Sequence, residues 1–256
     1  MHLILTGATG FIGSSILDAM LRMNGLTKIS ILSRRPVQMM ADRPDPRVNV
    51  IIHNNFESYD DELLAQLNGA VGCVWAIGVA QSQVSKTDYV RITKTYAEAA
   101  AKAFASIPAP TTKPSPFRFV YVAGGDTTTK PGVLTAFQAR IKGETELSLG
   151  SICKAGSADR LKGYSVRVFY PDMAGHDAIK PYVRPHPLVH RVSEIIFGTP
   201  IRRFAKDLWA PTEQLGEFLT EVSMGRHDDI AAEDGQEEAP GMTLISNADI
   251  RRAKGY

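Results

Sequence analysis

The sequence predicts an α/β fold, a doubly wound parallel sheet with a small C-terminal cap. Three observations carry that reading. Short apolar segments alternate with amphipathic ones over the first two-thirds of the chain, the rhythm of successive β-α-β crossovers. One segment, Gly72–Gly78 (GCVWAIG), is apolar almost without interruption, as strands covered on both faces are. The first segment runs directly into glycines at 7, 10 and 13.

The elements follow in order. His2–Thr6 (HLILT) is the first strand. Ile12, Ile16, Ala19, Met20 and Met23 then fall at helical spacing, with Gly25 as the stop. Lys28–Ser33 and Arg47–His53 are the second and third strands. Asp60–Leu67 is a short helix whose opening acids suit the positive end of its dipole. After the fourth strand at 72–78, Asp88–Ser106 reads as one alanine-rich helix. Ile107–Pro116 holds four prolines and is a loop. Phe117–Ala123 is the fifth strand, Val133–Leu149 a helix and Tyr164–Tyr170 the sixth strand. Beyond Pro171 the rhythm weakens. Val189–Phe197 is a candidate helix. Thr212–Ser223 is a clearer one, with Thr212 as its cap and Leu215, Phe218, Leu219 and Val222 as its apolar stripe. Gly225–Gly241 holds six acids and reads as a solvated loop. Residues 1–171 are expected to form the core, and 172–256 a cap and C-terminal segment that is not an independent domain.

Composition bounds the function. With 256 residues, 44% hydrophobic and 22% charged, the chain is globular and not disordered. Its two cysteines, Cys73 and Cys153, exclude a disulfide scaffold and favour a reducing compartment. A net charge of +2 gives no field to draw in nucleic acid or an anionic membrane. The apolar runs fall far short of the ~20 residues that span a bilayer, and the expected location is cytoplasmic. His176, His186 and His190 match no ligand signature, so no metal is expected.

The glycine turn is the most informative segment. In Thr6-Gly7-Ala8-Thr9-Gly10-Phe11-Ile12-Gly13 the chain must turn tightly, let a phosphate touch backbone and pack a helix close to the sheet. Each step favours a residue without a Cβ. The new helix points its amino end at the site, where a pyrophosphate would sit. Gly7, Thr9, Gly10, Phe11, Ile12 and Gly13 are therefore candidate dinucleotide contacts. The second strand ends in Ser33-Arg34-Arg35, with no acid to bind ribose hydroxyls. A guanidinium binds a 2′-phosphate by paired, charge-assisted hydrogen bonds. NADP(H) is thus expected over NAD(H), with Arg34 the principal contact and Ser33 and Arg35 in support. The plain alternative is two solvated arginines.

Written as TGATGFIG, the G-x-x-G-x-x-G spacing resembles the extended and atypical short-chain dehydrogenase/reductase families. The likeness is greatest to small atypical members related to a tumour-suppressor oxidoreductase. It covers the chain to about Pro171 and more loosely the remainder, where Ile245–Arg251 (ISNADIR) resembles the ends of such chains. The resemblance implies a Rossmann core. It implies that Asn55 and Phe56 lie near the adenine, Asn55 replacing the usual acid, and that Ala76, Ile77 and Gly78 wrap the cofactor's middle. Tyr170, Pro171 and Met173 would face the nicotinamide, and His176 is a candidate for the substrate pocket. Family members frequently pair through the helix that holds Ala97–Ala103, so a homodimer is one expectation and packing on the sheet the other.

The same resemblance implies a catalytic tyrosine, a lysine four residues later and an upstream serine. Lys142-Gly143-Glu144 fits the lysine and its surroundings. Four residues back stands Gln138, beside Phe137, so the phenol is missing. Gly124-Gly125-Asp126 contains no serine, and Thr127, Thr128 and Thr129 follow it. Gln138 hydrogen-bonds but has no useful pKa, so it is no general acid. Three readings remain. The first is an NADP(H)-binding oxidoreductase acting on a small organic carbonyl or alcohol, with Asp126, Tyr170 or a substrate-held water as the acid and Lys142, Gln138 and Thr127 beside it. The second is a non-catalytic NADP(H)-sensing protein. The third is a redox-neutral cyclase or isomerase.

Overall fold

A computed structural model of the chain describes residues 1–108, 115–155, 160–183, 203, 205–230 and 239–256. Its strands are β1 (His2–Thr6), β2 (Lys28–Ser33), β3 (Val48–Ile52), β4 (Ala70–Trp75), β5 (Phe117–Gly124), β6 (Leu161–Val168), β7 (Tyr170–Asp172), β8 (Trp209–Pro211) and β9 (Met242–Ile245). Seven of them form one sheet in the order β3-β2-β1-β4-β5-β6-β9, every neighbouring pair parallel. Strands β7 and β8 pair separately. The order reverses between β1 and β4, and that crevice at the carboxyl ends of the strands is where doubly wound sheets hold ligands.

The helices are α1 (Phe11–Arg22), α2 (Gln38–Asp42), α3 (Asp61–Gln66), α4 (Lys86–Val90), α5 (Tyr96–Phe104), α6 (Phe137–Ala155), α7 (Thr212–Ser223) and α8 (Asn247–Lys254). Alternation along each strand sends side chains to both faces. On β1, Leu3 and Leu5 join the core that includes Ile16, Leu17, Met20, Leu215 and Phe218, while Ile4 joins the core that includes Trp75, Ala97, Ala101 and Phe104. Helix α7 presses on α1 because Gly216 has no Cβ; one there would lie 2.6 Å from the Ser15 carbonyl carbon. Asp60 caps α3 by accepting from Leu63 N at 2.8 Å. No helix among the described residues is long and apolar enough to cross a membrane.

Several elements differ from expectation, each for a local reason. Strand β4 closes at Trp75, so Ala76–Gly78 lie beyond it. Strand β6 ends at Val168, after which the chain leaves the sheet and Tyr170 opens β7. Helix α6 starts at Phe137 and not at Val133, because Gly132 N bonds the Thr135 hydroxyl in the preceding loop. The long alanine-rich helix carries a π turn, Arg91–Thr95, between α4 and α5. Thr212 does not cap α7; its hydroxyl bonds His176 instead. Helix α1 ends at Arg22, with Met23 turning extended before Gly25 is reached. The acidic segment after Gly225 is anchored at Asp228, whose carboxylate accepts from Arg118 Nε at 2.9 Å and from the Tyr164 hydroxyl. Those bonds hold the carboxyl down at about 2. Strand β9, absent from the periodicity, adds the seventh strand beside β6. The candidate helix Val189–Phe197 lies outside the described residues, as do His186 and His190.

Under β1, His2 is a buried neutral base. Its Nδ1 faces the Asn68 carbonyl at 3.2 Å, which requires a proton there, so Nε2 accepts from the Ser30 hydroxyl at 2.9 Å. Burial and the Lys28 charge lower its pKa from 6.5 to about 4. Above pH 6.5 the ring is neutral folded or unfolded and pH has no effect through it. Between pH 6.5 and about 4 only the unfolded chain takes the proton, so stability falls as pH falls, by up to about 3 kcal/mol. Urea melts across that range should show the loss, and His2→Gln should flatten it. An unchanged slope in the variant would assign the acid sensitivity elsewhere.

Candidate functional site

The site is built from the turn after β1. Gly7 has φ +71, and a Cβ there would lie 2.5 Å from the Ala76 carbonyl carbon. A Cβ at Gly13 would lie 2.5 Å from the Gly7 carbonyl carbon. Three backbone segments therefore meet with no room for side chains. Gly10 N closes the turn on Gly7 O at 2.8 Å, and Gly10 stands at the N-cap of α1 without a side-chain cap. The Thr6 hydroxyl bonds Ala76 N at 3.2 Å, tying the ends of β1 and β4 together. The result is a bare backbone cradle at the positive end of α1, a geometry suited to a diphosphate.

Arg35 spans the cradle's rim, its guanidinium donating to the Thr9 hydroxyl at 3.2 Å. The Ser33 hydroxyl donates to Arg35 O at 2.7 Å and fixes that turn. Arg34 is exposed beside it. Asn55 is exposed, and its side-chain oxygen accepts from Glu57 N at 3.2 Å. Phe56 turns inward: its ring is buried against Trp75, His53 and Tyr96. Ile77 is half-buried and Gly78 exposed.

Across the crevice, Lys142 on α6 meets Asp126, Nζ to Oδ1 3.7 Å. Gly124 makes room for both, since a Cβ there would lie 2.6 Å from Asp126 Oδ1 and overlap Lys142 Nζ. Thr127 follows. Its hydroxyl is buried and has no hydrogen-bond partner, an uncommon condition that suits a group awaiting a ligand or water. Gln138 is half-buried in the first turn of α6. Tyr170, Pro171 and Met173 are half-buried after β6, with Met173 packed on the α1 core. Phe169 lies over Gly125, where a Cβ would come within 2.5 Å of its ring.

His176 does not line this crevice. It is buried against α1, with Nε2 3.3 Å from Asp18 and Nδ1 3.0 Å from Thr212 Oγ1. Asp18 also accepts from Arg43 at 2.7 Å and Arg22 at 3.0 Å, and these partners hold its carboxyl well below the usual range against the burial that opposes them. The ring thus clamps the chain after β7 to α1 and α7. A phenol missed in the sequence is Tyr89 on α4, buried, with its ring 5.9 Å from that of Phe137. Burial, with the Asp126 charge, pushes its pKa up against a hydrogen bond from Thr93. Its signal was its four-residue spacing from Thr93 on a helix otherwise read as alanine packing.

The parallel sheet, the glycine cradle and the lysine on α6 together define a protein with the short-chain dehydrogenase/reductase fold. Solved structures agree. An oxidoreductase of that family from Burkholderia thailandensis superposes with TM-score 0.63 at 13% identity, covering 99% of this chain and 95% of its own. The PhqB reductase domain from Penicillium fellutanum gives 0.64 at 17%, covering 96% and 72%. The Bordetella bronchiseptica enzyme WbmF, solved with NAD+, gives 0.61 at 15%, covering 99% and 78%. No family model matches the sequence. By sequence the chain belongs to the family of the leucinostatins biosynthesis cluster protein T of Purpureocillium lilacinum, to which it is 31% identical over 265 residues, 96% of this chain and 94% of that one. Botcinic acid biosynthesis cluster B protein 16 of Botryotinia fuckeliana is 37% identical over 139 residues, 54% of this chain and 87% of that one.

Proposed function

We propose that the protein is an NADP(H)-dependent oxidoreductase acting on a small organic carbonyl or alcohol. The observation that carries the reading is the cradle, where Gly7 and Gly13 leave space that any Cβ would fill. Gly7, Thr9, Gly10, Phe11, Ile12 and Gly13 would hold the pyrophosphate. Ser33, Arg34 and Arg35 would take the 2′-phosphate, Asn55 and the Phe56 backbone the adenine side, and Ala76, Ile77 and Gly78 the middle. Tyr170, Pro171 and Met173 would border the nicotinamide. That WbmF was solved with NAD+ supports a nicotinamide dinucleotide, and relatives named for leucinostatin and botcinic acid biosynthesis support a small organic substrate.

The reduced nicotinamide supplies the hydride when bound. Lys142 would hold the ribose hydroxyls, with Asp126 orienting its ammonium. The Thr127 hydroxyl, buried without a partner, is free to bond a substrate oxygen. Gln138 positions but gives no proton, and Asp126 is engaged as a carboxylate with Lys142, so of the candidate acids Tyr170 or a substrate-held water would supply the proton. That lack of a phenol in the first turn of α6 also favours a second reading, an NADP(H)-sensing protein or redox-neutral cyclase or isomerase.

Nucleotide fluorescence titration tests the assignment. NADPH should bind more tightly than NADH. Exchanging both Arg34 and Arg35 for Asp should weaken NADPH by about tenfold to a hundredfold, the worth of hydrogen bonds to a charged group, and erase the preference. Lys142→Ala should weaken both nucleotides. Equal affinities in the parent would remove the NADP(H) assignment. Binding without turnover across a panel of carbonyls would favour the second reading.

A further inference from the structure

We infer that the substrate carries its reacting oxygen on an uncharged, extended apolar group, which lies along Phe169 and the Val133–Leu134 tip. This deepens the function proposed above and rests on it for the reacting group.

Three loops leave the carboxyl ends of β4, β5 and β6 around the Lys142–Asp126 pair: residues 76–85, 125–136 and 169–176. Their carboxylates, lysines and histidines are Asp126, Lys130, Asp172 and His176. Asp126 faces Lys142. Asp172 accepts from Trp209 Nε1 at 2.8 Å and from Ala174 N at 2.9 Å. His176 is sealed against Asp18. Among the described residues these loops bring no cluster of cations together, whereas a phosphate-bearing substrate calls for several charged donors.

Apolar groups stand there instead. Val133 and Leu134 are each 98% exposed on the loop that leads into α6, and Phe169 is 54% exposed at the exit of β6. Single exposed apolar side chains are ordinary; what sets Phe169 apart is that it is fixed against Gly125, next to Asp126 in the chain. Phe169 is held in place: its N donates to Asn247 Oδ1 at 3.2 Å, and Gly125 N donates to Val168 O at 2.8 Å. Only a residue without a side chain at 125 leaves room for the ring. An apolar wall therefore stands one residue from Asp126 and two from the unpartnered Thr127 hydroxyl. A polar anchor beside an apolar wall selects a carbonyl or hydroxyl at the end of a greasy body.

The test uses a straight-chain series from butanal to decanal with NADPH, and in parallel the matching primary amides by calorimetry, which needs no turnover. Affinity for the amides, and kcat/KM for the aldehydes, should rise by about fourfold per methylene where the chain meets the wall, the equivalent of ~0.8 kcal/mol. Phe169→Ser and Leu134→Asp should each lower the ratio of long- to short-chain binding. An amide series flat with chain length, or a series that rises equally in both variants, overturns the inference. So does UDP, a nucleoside diphosphate probe, competing with the amides when NADP+ already saturates the nucleotide cradle. Rising amide affinity with no aldehyde turnover would sink the oxidoreductase reading and leave the apolar wall standing.

Discussion

Gly13→Ala is expected to weaken NADPH binding by about a hundredfold or more while the chain still folds. A Cβ at this position would lie 2.5 Å from the Gly7 carbonyl carbon and 3.0 Å from Ala8 N. Both are backbone atoms, so no rotamer relieves the overlap. Either α1 moves away from β1 or the turn opens. Overpacking of this kind costs about 1–3 kcal/mol, and here the strain falls on the amides that would meet the diphosphate. A few kcal/mol lost from binding is two decades of affinity. Gly7→Ala should act in the same direction, since φ +71 adds about 1–2 kcal/mol of left-handed strain. Gly175→Ala is the control, because nothing lies within 4 Å of a Cβ there. Fluorescence titration with a thermal melt beside it separates lost binding from lost fold. A folded Gly13→Ala protein with parental affinity would mean that the nucleotide does not meet this turn.

The same contacts explain what could be read from the chain and what could not. Gly7 and Gly13 were legible because their neighbours in space are neighbours in sequence, within a single strand-turn-helix unit. β1, β2 and β5 were legible because short, mostly apolar segments alternate with helical ones, as in successive β-α-β units. The misses are long-range. Asp228 sits in an acid-rich stretch, and its partners Arg118 and Tyr164 lie 110 and 64 residues away. β9 is four residues long and owes its place to β6. His176 carries a pocket-like address after β7, yet Asp18, 158 residues distant, claims its ring. In the site itself, Lys142 and Asp126 were named singly, on the resemblance to the family's lysine and to its missing serine, and their pairing, like the inward turn of Phe56 and the burial of Tyr89, depends on packing that periodicity does not carry.

Glu146→Ala is expected to destabilise the protein by about 3–5 kcal/mol, the cost of breaking a buried ion pair from one side. Glu146 is fully buried on α6, one turn beyond Lys142. Its carboxylate accepts from Ser165 Oγ at 2.6 Å and from Arg167 Nε at 3.0 Å, with a second bond from Arg167 Nη2. The Arg167 side chain is only 16% exposed, so without Glu146 its charge stays largely out of water. Replacing both partners, as Glu146→Leu with Arg167→Met, should recover most of the loss, because the desolvation penalty then disappears with the charges. Urea midpoints of the two singles and the double close the cycle. The pair also bears on the site. It pins α6 to β6 at the turn after Lys142, so the double variant should regain stability and yet bind NADPH less tightly than the parent, as α6 gains freedom to slide. A double variant that recovers both would separate the ion pair from the placement of Lys142 and leave the close packing of Gly143 on the Thr128 backbone as what holds that lysine in register.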